Sequence, residues 1–483
     1  MGNKHSRKDR HSAPDARQRR SFWRQRGRLS APCDRTLESP DIVQPRLPTI
    51  STRPRHQLTN SCPAGYQIPL HIRVTNLRQN EVLAFPLVLI EGTIEHVGDA
   101  NLPDSALYVQ AVTHDVEKED ELKNSWVGSV CWPVVRESGH FKAFVHISHP
   151  GKFNIHLRIA NATYQLRVRF EPQKTKWIVR FHYQKPSDSY QGFDAPSGVD
   201  NSDSDACQRL KFNAMVLQST IAELFHRAGF ARKTFAVELD ADGFPVVNVL
   251  HSNHTISQAR RMTDSQLLTH LTEDIQAAEA QNLKGYTKPS TASRVKHVVL
   301  LGGPHFDPRV HKVSNYRELV GGDMIVNTGF GLFTWPRSLN ELTSCCFNCA
   351  SIAPELIMDQ CSVQQTYWAS YSGALSILLH LLSLSFGLKY RSDGVMRKSF
   401  RQTTRLLVVM EPRSGKKQLV AVGRPVGDGR FYKLESQALK PVGATLEGIY
   451  LDELSIGELA IHCRWINPKL VKHVVTTNPA TAA

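Results

Sequence analysis

Apolar residues occupy every second position in two runs of the N-terminal half, 153–159 and 164–170. The residues between them are Asn, His, Gln and Arg. A period of two is typical of a strand with one buried face, and the intervening Asn161-Ala162 predicts a hairpin turn. Shorter apolar runs recur at 72–74, 87–90 and 141–147. We therefore predict that residues 66–184 form an antiparallel β-sandwich.

The spacing of apolar residues changes in the second half of the chain. Residues 185–207 offer almost nothing that a core could bury, so they predict a linker or a long surface insertion. Apolar residues at helical spacing then predict one helix around Leu217 and another that begins near Thr263 or Asp264. A buried strand is predicted at 298–301. These elements indicate a separate α+β domain over residues 208–412.

One stretch of 21 residues, 368–388, contains no charged side chain and is long enough to span a membrane. Five serines, two glycines and a histidine interrupt it, and only residues 375–384 are strongly apolar. A buried helix of a globular domain explains the composition equally well. The sequence leaves both interpretations open, and we favour the buried helix.

The net charge of +15 is concentrated at the N-terminus, where residues 1–30 hold ten Lys or Arg and two Asp. Residues 1–65 show no apolar periodicity, which predicts a disordered basic tail. Such a tail attracts polyanions, but no helix-turn-helix, zinc-finger or RNA-binding signature follows it. Nucleic acid is therefore not the expected partner.

The first six residues fit the M-G-x-x-x-[ST] pattern for myristoylation of Gly2. An acyl chain and a polybasic segment together supply the two signals that stable attachment to an anionic membrane surface requires. The alternative is a solvated arm with a chance match. The nine cysteines are odd in number, and no segment resembles a secretory signal. We expect a cytoplasmic location, with peripheral membrane attachment if Gly2 is acylated.

Four segments together resemble a fungal family of zinc metallopeptidases of the zincin type: 132–143, 227–235, 331–336 and 368–397. The resemblance spans roughly residues 66–412. In that family a β domain precedes the zincin domain, and a jacalin-like domain often follows. The resemblance implies an α+β fold, with an N-terminal antiparallel β-sandwich followed by a zincin-like α+β metallopeptidase domain. Residues 413–483 are too few for a complete jacalin-like domain, so we predict a β-rich remnant or extension.

The family's catalytic helix carries the pattern H-E-x-x-H-x-x-G-x-x-H. Histidines at i and i+4 share one helix face and bind a single Zn²⁺, while the glutamate acts as general base for a zinc-bound water. Aligned on this pattern, the first histidine is His380 and the turn glycine is Gly387. The glutamate position holds Leu381, and the remaining histidine positions hold Leu384 and Tyr390.

Further along, Gly394-Val395-Met396 resembles the family's turn in which a methionine, here Met396, lies beneath the metal. The scaffold of the site is thus expected to persist while its catalytic group is lost. Zinc is the family's cofactor, but this chain is expected to hold none, because one imidazole cannot bind the ion at cellular concentrations.

We therefore interpret the chain as a peptidase relative without peptidase activity, acting as a binding or scaffold protein for an unidentified protein or peptide. The alternative is an active zinc metallopeptidase that combines His380 with His305, His311 or Tyr390. Both interpretations remain open from sequence alone.

Two other groups of ligand-type residues deserve comparison. Four cysteines include a C-x₂-C pair but lack a second pair to complete a structural zinc site, and ordinary buried thiols are the simpler interpretation: Cys345, Cys346, Cys349 and Cys361. His305, Asp307 and His311 follow the predicted strand, where no helix aligns them, so we interpret them as polar loop residues.

Overall fold

A computed structural model describes most of the chain from residue 70 to residue 466. The described residues are 70–96, 106–113, 129–135, 138–189, 192–281, 294–303, 305–307, 312–314, 316–329, 331–353, 356, 365–412, 419–421, 424–426, 430–435, 438–442 and 449–466. The predicted tail, with Gly2, lies outside them. Its disorder, acylation and membrane contact stay predictions.

Two sheets form the N-terminal sandwich, and most of their strands pair antiparallel, as predicted. The three-stranded sheet has the order β1-β3-β6, and the five-stranded sheet has the order β2-β8-β7-β4-β5. The strands are β1 (Leu70–Val74), β2 (Glu81–Leu83), β3 (Leu87–His96), β4 (Leu107–Thr113), β5 (Val130–Trp132), β6 (His140–His146), β7 (Gly151–Ile159) and β8 (Ala162–Phe170).

The predicted hairpin is β7 and β8, whose register runs from Gly151 opposite Phe170 to Ile159 opposite Ala162. One pair departs from the prediction of a purely antiparallel sandwich, because β2 lies parallel to β8. No hairpin connects these two strands; β2 arrives from the other sheet through a turn, so its direction is not set by β8. Side chains such as Trp132, Phe141 and Leu166 fill the core between the sheets.

A second five-stranded sheet is largely parallel and has the order β10-β9-β11-β15-β14, with β14 antiparallel at one edge. Two further strands form a small separate pair, and five short strands follow near the C-terminus. The strands are β9 (Trp177–Lys185), β10 (Val247–His251), β11 (Arg294–Leu301), β12 (His305–Asp307), β13 (Lys312–Ser314), β14 (Glu318–Gly321), β15 (Met324–Thr328), β16 (Met410–Pro412), β17 (Leu419–Ala421), β18 (Arg424–Val426), β19 (Arg430–Glu435) and β20 (Ala438–Val442).

The described residues include seven α-helices. They are α1 (Asp203–Arg227), α2 (Ile256–Arg261), α3 (Asp264–Ala280), α4 (Leu339–Phe347), α5 (Tyr367–Ser385), α6 (Thr404–Leu407) and α7 (Glu453–His462). Thr263 caps α3 and Gln266 completes a capping box, in agreement with the predicted helix start. The structure confirms the α+β fold class.

The structure corrects two predicted boundaries. Strand β9 was expected to close the sandwich segment at residue 184, but it pairs with β10 and β11 in the second sheet. Its side chains are buried from Val179 to Gln184, as in a parallel strand covered on both faces. The expected linker 185–207 overlaps the start of α1. Its alternating Asp and Ser form the first turn, where Ser202 caps the helix and acidic residues favour its positive end.

Helix α1 joins the sandwich to the second sheet. The Ser219 hydroxyl donates to the Leu87 carbonyl of β3, and the same helix packs against β9. At its C-terminal end, Arg232 forms ion pairs with Glu223 and with Glu81 of β2. One continuous hydrophobic core therefore extends from the sandwich to α5.

The uncharged stretch 368–388 forms most of α5, whose side chains are largely buried against β14, β15 and α4. The structure thus favours the interpretation as a core helix. Among the described residues, no helix combines the length and the apolar character that crossing a bilayer requires.

Candidate active site on helix α5

Helix α5 turns the residues of the degenerate motif toward two different environments. Leu378 and Leu382 are fully buried in the core. His380 and Leu384, at i and i+4, are both partly exposed and share one face. Leu381 is only 5% exposed and belongs to the core. The ligand positions therefore face outward as a metal site requires, but the general-base position does not present a polar group.

Gly387 ends the helix as the motif predicts. Its φ is +101°, a left-handed conformation that other residues adopt only with strain. The Leu388 N–H donates to the Ser383 carbonyl and the Gly387 N–H donates to the Leu384 carbonyl. These two bonds form a Schellman motif. The chain reverses here, which brings residue 390 back beside His380.

A backbone carbonyl fixes the ring of His380. Its Nδ1 lies 3.0 Å from the Val395 carbonyl oxygen, so Nδ1–H donates. A backbone carbonyl that holds the second ring nitrogen is typical of metal-binding histidines. The Tyr390 ring lies next to the imidazole, with ring centroids 5.2 Å apart.

The turn that carries Val395 and Met396 is tightly packed. Val395 and Met396 are almost completely buried, and Gly394 has a φ of +61°. The Val395 N–H donates to the Tyr450 carbonyl oxygen at 3.0 Å. A Cβ at Gly394 would lie 2.5 Å from that same oxygen. Only glycine fits this close approach, so the segment before α7 is packed directly against the turn.

The side chains at the ligand positions do not fit zinc. A catalytic zinc site takes three protein ligands and a water, whereas Leu384 offers no donor atom. Tyr390 is 54% exposed, and the Lys398 ammonium lies 5.3 Å from its ring centroid. Across the described residues, no three His, Cys, Asp or Glu side chains are grouped so as to hold a metal ion. No catalytic step through zinc can be derived from these residues.

Of the competing ligand groups, Cys345 and Cys346 belong to α4, which packs against α5. Burial raises the pKa of Cys345 to about 12, with a contribution from the Glu341 carboxylate, and raises the pKa of Cys346 as well. Both thiols are thus protonated at neutral pH, as is usual for thiols buried in apolar surroundings. Cys361 and His311 lie outside the described residues. His305 and Asp307 lie on β12, of which only the backbone is described.

Sequence reasoning missed a histidine pair in the second sheet. His182 of β9 and His297 of β11 lie on adjacent parallel strands, with Nε2 of the first 3.0 Å from Nδ1 of the second. Burial lowers the pKa of both, that of His297 to about 4, and the nearby Arg180 charge contributes to each shift. The sequence shows only that each strand contains a histidine. That the two histidines lie side by side follows from the register of β9 and β11, which the sequence does not show.

Comparison with known proteins identifies the family. Residues 71–432 match the family described as "Putative peptidase family". The chain belongs to this family. A relative, "Putative zinc metalloproteinase C607.06c" of Schizosaccharomyces pombe, is 22% identical over 374 residues, which are 73% of this chain and 56% of that protein. The chain therefore spans just over half the length of this relative. The expected resemblance to fungal zinc metallopeptidases is confirmed.

Solved structures show weak similarity. Wild-type OgpA from Akkermansia muciniphila aligns with 48% of this chain and 56% of its own, at 11% identity and a TM-score of 0.31. Catalytically inactive OgpA in complex with an O-glycopeptide substrate aligns with 45% and 50%, at 11% identity and a TM-score of 0.29. Scores this low do not bear on the activity of the chain.

Proposed function

We propose that this chain is a member of the peptidase family that has lost peptidase activity and acts as a binding or scaffold protein. One observation carries the proposal: the His380 ring is oriented by a hydrogen bond to the Val395 carbonyl, while the position one helical turn away on the same face is Leu384. The ring of His380 is thus oriented, but histidines are missing at the other two ligand positions.

The size of the loss supports this function. Replacement of the general-base glutamate alone removes assistance worth about 10² to 10⁴ in rate. Leu381 has no group that can accept a proton, and at 5% exposure it is packed in the core, away from water. Without three ligands the Lewis acid that activates water is also missing. The two losses together remove the family mechanism rather than weaken it.

The proposed partner is a protein or peptide. Strand β14 lies at the edge of the sheet beside α5 and, within the described residues, pairs on one side only, with β15. An extended segment can add to such an edge through main-chain hydrogen bonds. Val320 on this strand is an exposed large hydrophobic side chain that a partner would cover.

Metal content of the purified full chain tests the proposal. We expect less than about a tenth of an equivalent of zinc per chain after equilibration with zinc and desalting, and no hydrolysis of a casein substrate. A matched variant, Leu381→Glu with Leu384→His and Tyr390→His, should bind close to one equivalent. The same triple variant with His380→Ala should lose it.

The alternative, an active enzyme with a non-standard ligand set, makes the opposite prediction. Stoichiometric zinc in the unmodified chain, released by His380→Ala and accompanied by peptide hydrolysis, would overturn the proposal. Circular dichroism of every variant shows whether a missing signal reflects unfolding.

A further inference from the structure

The outer face of the β7–β8 hairpin is strongly basic. Side chains alternate along both strands, so one set fills the sandwich core and the other points outward. The outward positions include Lys152 and Arg158 on β7 and Arg167 and Arg169 on β8. Neither strand contains an acidic residue. The sandwich therefore presents a patch of one charge sign.

A pocket of about 410 Å³ lies at the end of this face. We call it the basic pocket and define it by Asn80, Val82, Lys152, Asn154, Arg167 and Arg169. Its volume lies within the range of about 300 to 1,000 Å³ that small-molecule sites occupy. Three of the six defining residues are cations, two carry amides, and Val82 is 48% exposed.

The cations in the basic pocket lie on adjacent strands, close enough together to oppose folding. Lys152 lies directly opposite Arg169 in the antiparallel register. Arg167, which lies opposite Asn154, is the diagonal neighbour of Lys152. Like charges at directly opposite positions destabilise a sheet. Arg169 forms an exposed ion pair with Glu171, at 2.8 Å. In the described part of the chain, neither the Lys152 nor the Arg167 side chain has a carboxylate partner, so a surplus of positive charge remains.

The wall of the basic pocket is fixed rather than loose. The Asn80 N–H donates to the Arg167 carbonyl oxygen at 2.8 Å. Gln79 forms two further bonds to the same strand: its amide donates to the Gln165 carbonyl and accepts from the Arg167 N–H. Asn80 itself adopts a left-handed conformation with a φ of +62°. The turn before β2 is thus clamped against β8 and holds Asn80 beside the cations.

We propose that the basic pocket binds a phosphorylated polyol, the chemistry shared by a soluble inositol phosphate and a phosphoinositide headgroup. Phosphate oxygens match the planar donors of arginine and neutralise the surplus charge. The amides of Asn80 and Asn154 are suited to hydroxyl groups, which both donate and accept hydrogen bonds. This proposal is independent of the zinc motif and of the loss of peptidase activity.

Isothermal titration of the full chain with inositol trisphosphate tests the proposal. The basic tail at residues 1–30 also attracts anions and is present in every sample. The experiment therefore compares two variants of equal net charge, in which the contribution of the tail is the same. Lys152→Gln with Arg167→Gln removes two cations from the pocket. Arg260→Gln with Arg261→Gln removes two exposed cations from α2, far along the chain from the hairpin, and is the matched control.

We expect the pocket variant to bind inositol trisphosphate at least about tenfold more weakly than the control variant, because two charge-assisted hydrogen bonds are lost. The ligand should also raise the melting temperature of the control but not of the pocket variant. Equal affinities of the two variants would overturn the proposal, as would binding of citrate as tight as that of inositol trisphosphate.

Vesicle sedimentation then separates the two sources of the ligand. Phosphatidylcholine vesicles that contain a phosphoinositide are compared with phosphatidylcholine vesicles of the same total charge, in which phosphatidylserine is the anionic lipid. Preference of the control variant for phosphoinositide vesicles, lost in the pocket variant, identifies a lipid headgroup. Binding of inositol trisphosphate without that preference identifies a soluble ligand, and both results support the proposal.

Discussion

The outward faces of the β7–β8 hairpin and of α5 are unbalanced in opposite ways. On the hairpin, Lys152 and Arg169 stand opposite each other although the arrangement opposes folding. On α5, the orientation of His380 is kept by the Val395 carbonyl although a second donor is missing at Leu384. The first face has chemical groups in excess of what the fold needs. The second holds one histidine in a fixed orientation without a second histidine one helical turn away.

The largest expected effect comes from restoring the missing donors of α5. The variant Leu381→Glu, Leu384→His and Tyr390→His should melt below the unmodified chain without metal, because a carboxylate replaces a core leucine. Zinc at about a thousand times its Kd should then stabilise the variant by about 4 kcal/mol. Thermal denaturation with zinc and with EDTA measures both effects. A folded variant whose melting temperature does not change with zinc would show that the geometry around His380 no longer suits a metal site.

The next effect tests how firmly the turn below His380 is held. Gly394→Ala should lower the free energy of unfolding by about 2 to 3 kcal/mol, since it adds strain at positive φ and meets the Tyr450 carbonyl. Gly387→Ala has the same sign of φ but open space around the added methyl, so about 1 kcal/mol is expected. Urea denaturation compares the two. Equal losses would mean that contact with Tyr450 is unimportant.

A third, pH-dependent effect belongs to neither face. Burial lowers the folded-state pKa of His182 and of His297, so the unfolded chain binds protons that the folded chain excludes. The free energy of unfolding should therefore be largest above pH 6.5, about the pKa of histidine in the unfolded chain. It should fall as the pH drops toward about 4, the pKa of His297 in the folded chain. Urea denaturation across this range measures the slope. His297→Gln should flatten it, and an unchanged slope would assign acid sensitivity to other groups.

The smallest effect concerns the hairpin without ligand. Lys152→Gln should raise the free energy of unfolding by about 0.2 to 1 kcal/mol, because it removes a like-charge pair across the strands. The gain should shrink as salt is added. Thermal melting at low and high salt checks it. A loss of stability at low salt would show that Lys152 makes a favourable contact and would weaken the contrast between the two faces.

Local patterns predicted the parts of the fold that depend on neighbouring residues. Alternation predicted the β7–β8 hairpin, and helical spacing predicted the start of α3 near Thr263 or Asp264. The motif spacing located Gly387 at the helix end. These features depend on residues close in sequence, whose conformational preferences can be read directly.

Features that depend on distant pairing were not predictable in this way. Strand β9 alternates like a sandwich strand, yet it pairs with β11, more than a hundred residues later. The hydrogen bond from His380 to Val395 and the histidine pair need a three-dimensional register. The C-terminal segment was expected to be β-rich, and within it the structure also places a helix, α7, capped by Asp452.

The contact between Tyr450 and the turn at Gly394 limits how the chain can be divided. A fragment that ends at residue 412, where the peptidase-like part was predicted to stop, would lack the carbonyl that accepts the Val395 N–H. It would also lack Asp452, which lies 3.5 Å from the Arg391 guanidinium. A shortened protein that is to keep the turn below His380 should therefore retain the residues through α7, which follow the segment packed against that turn.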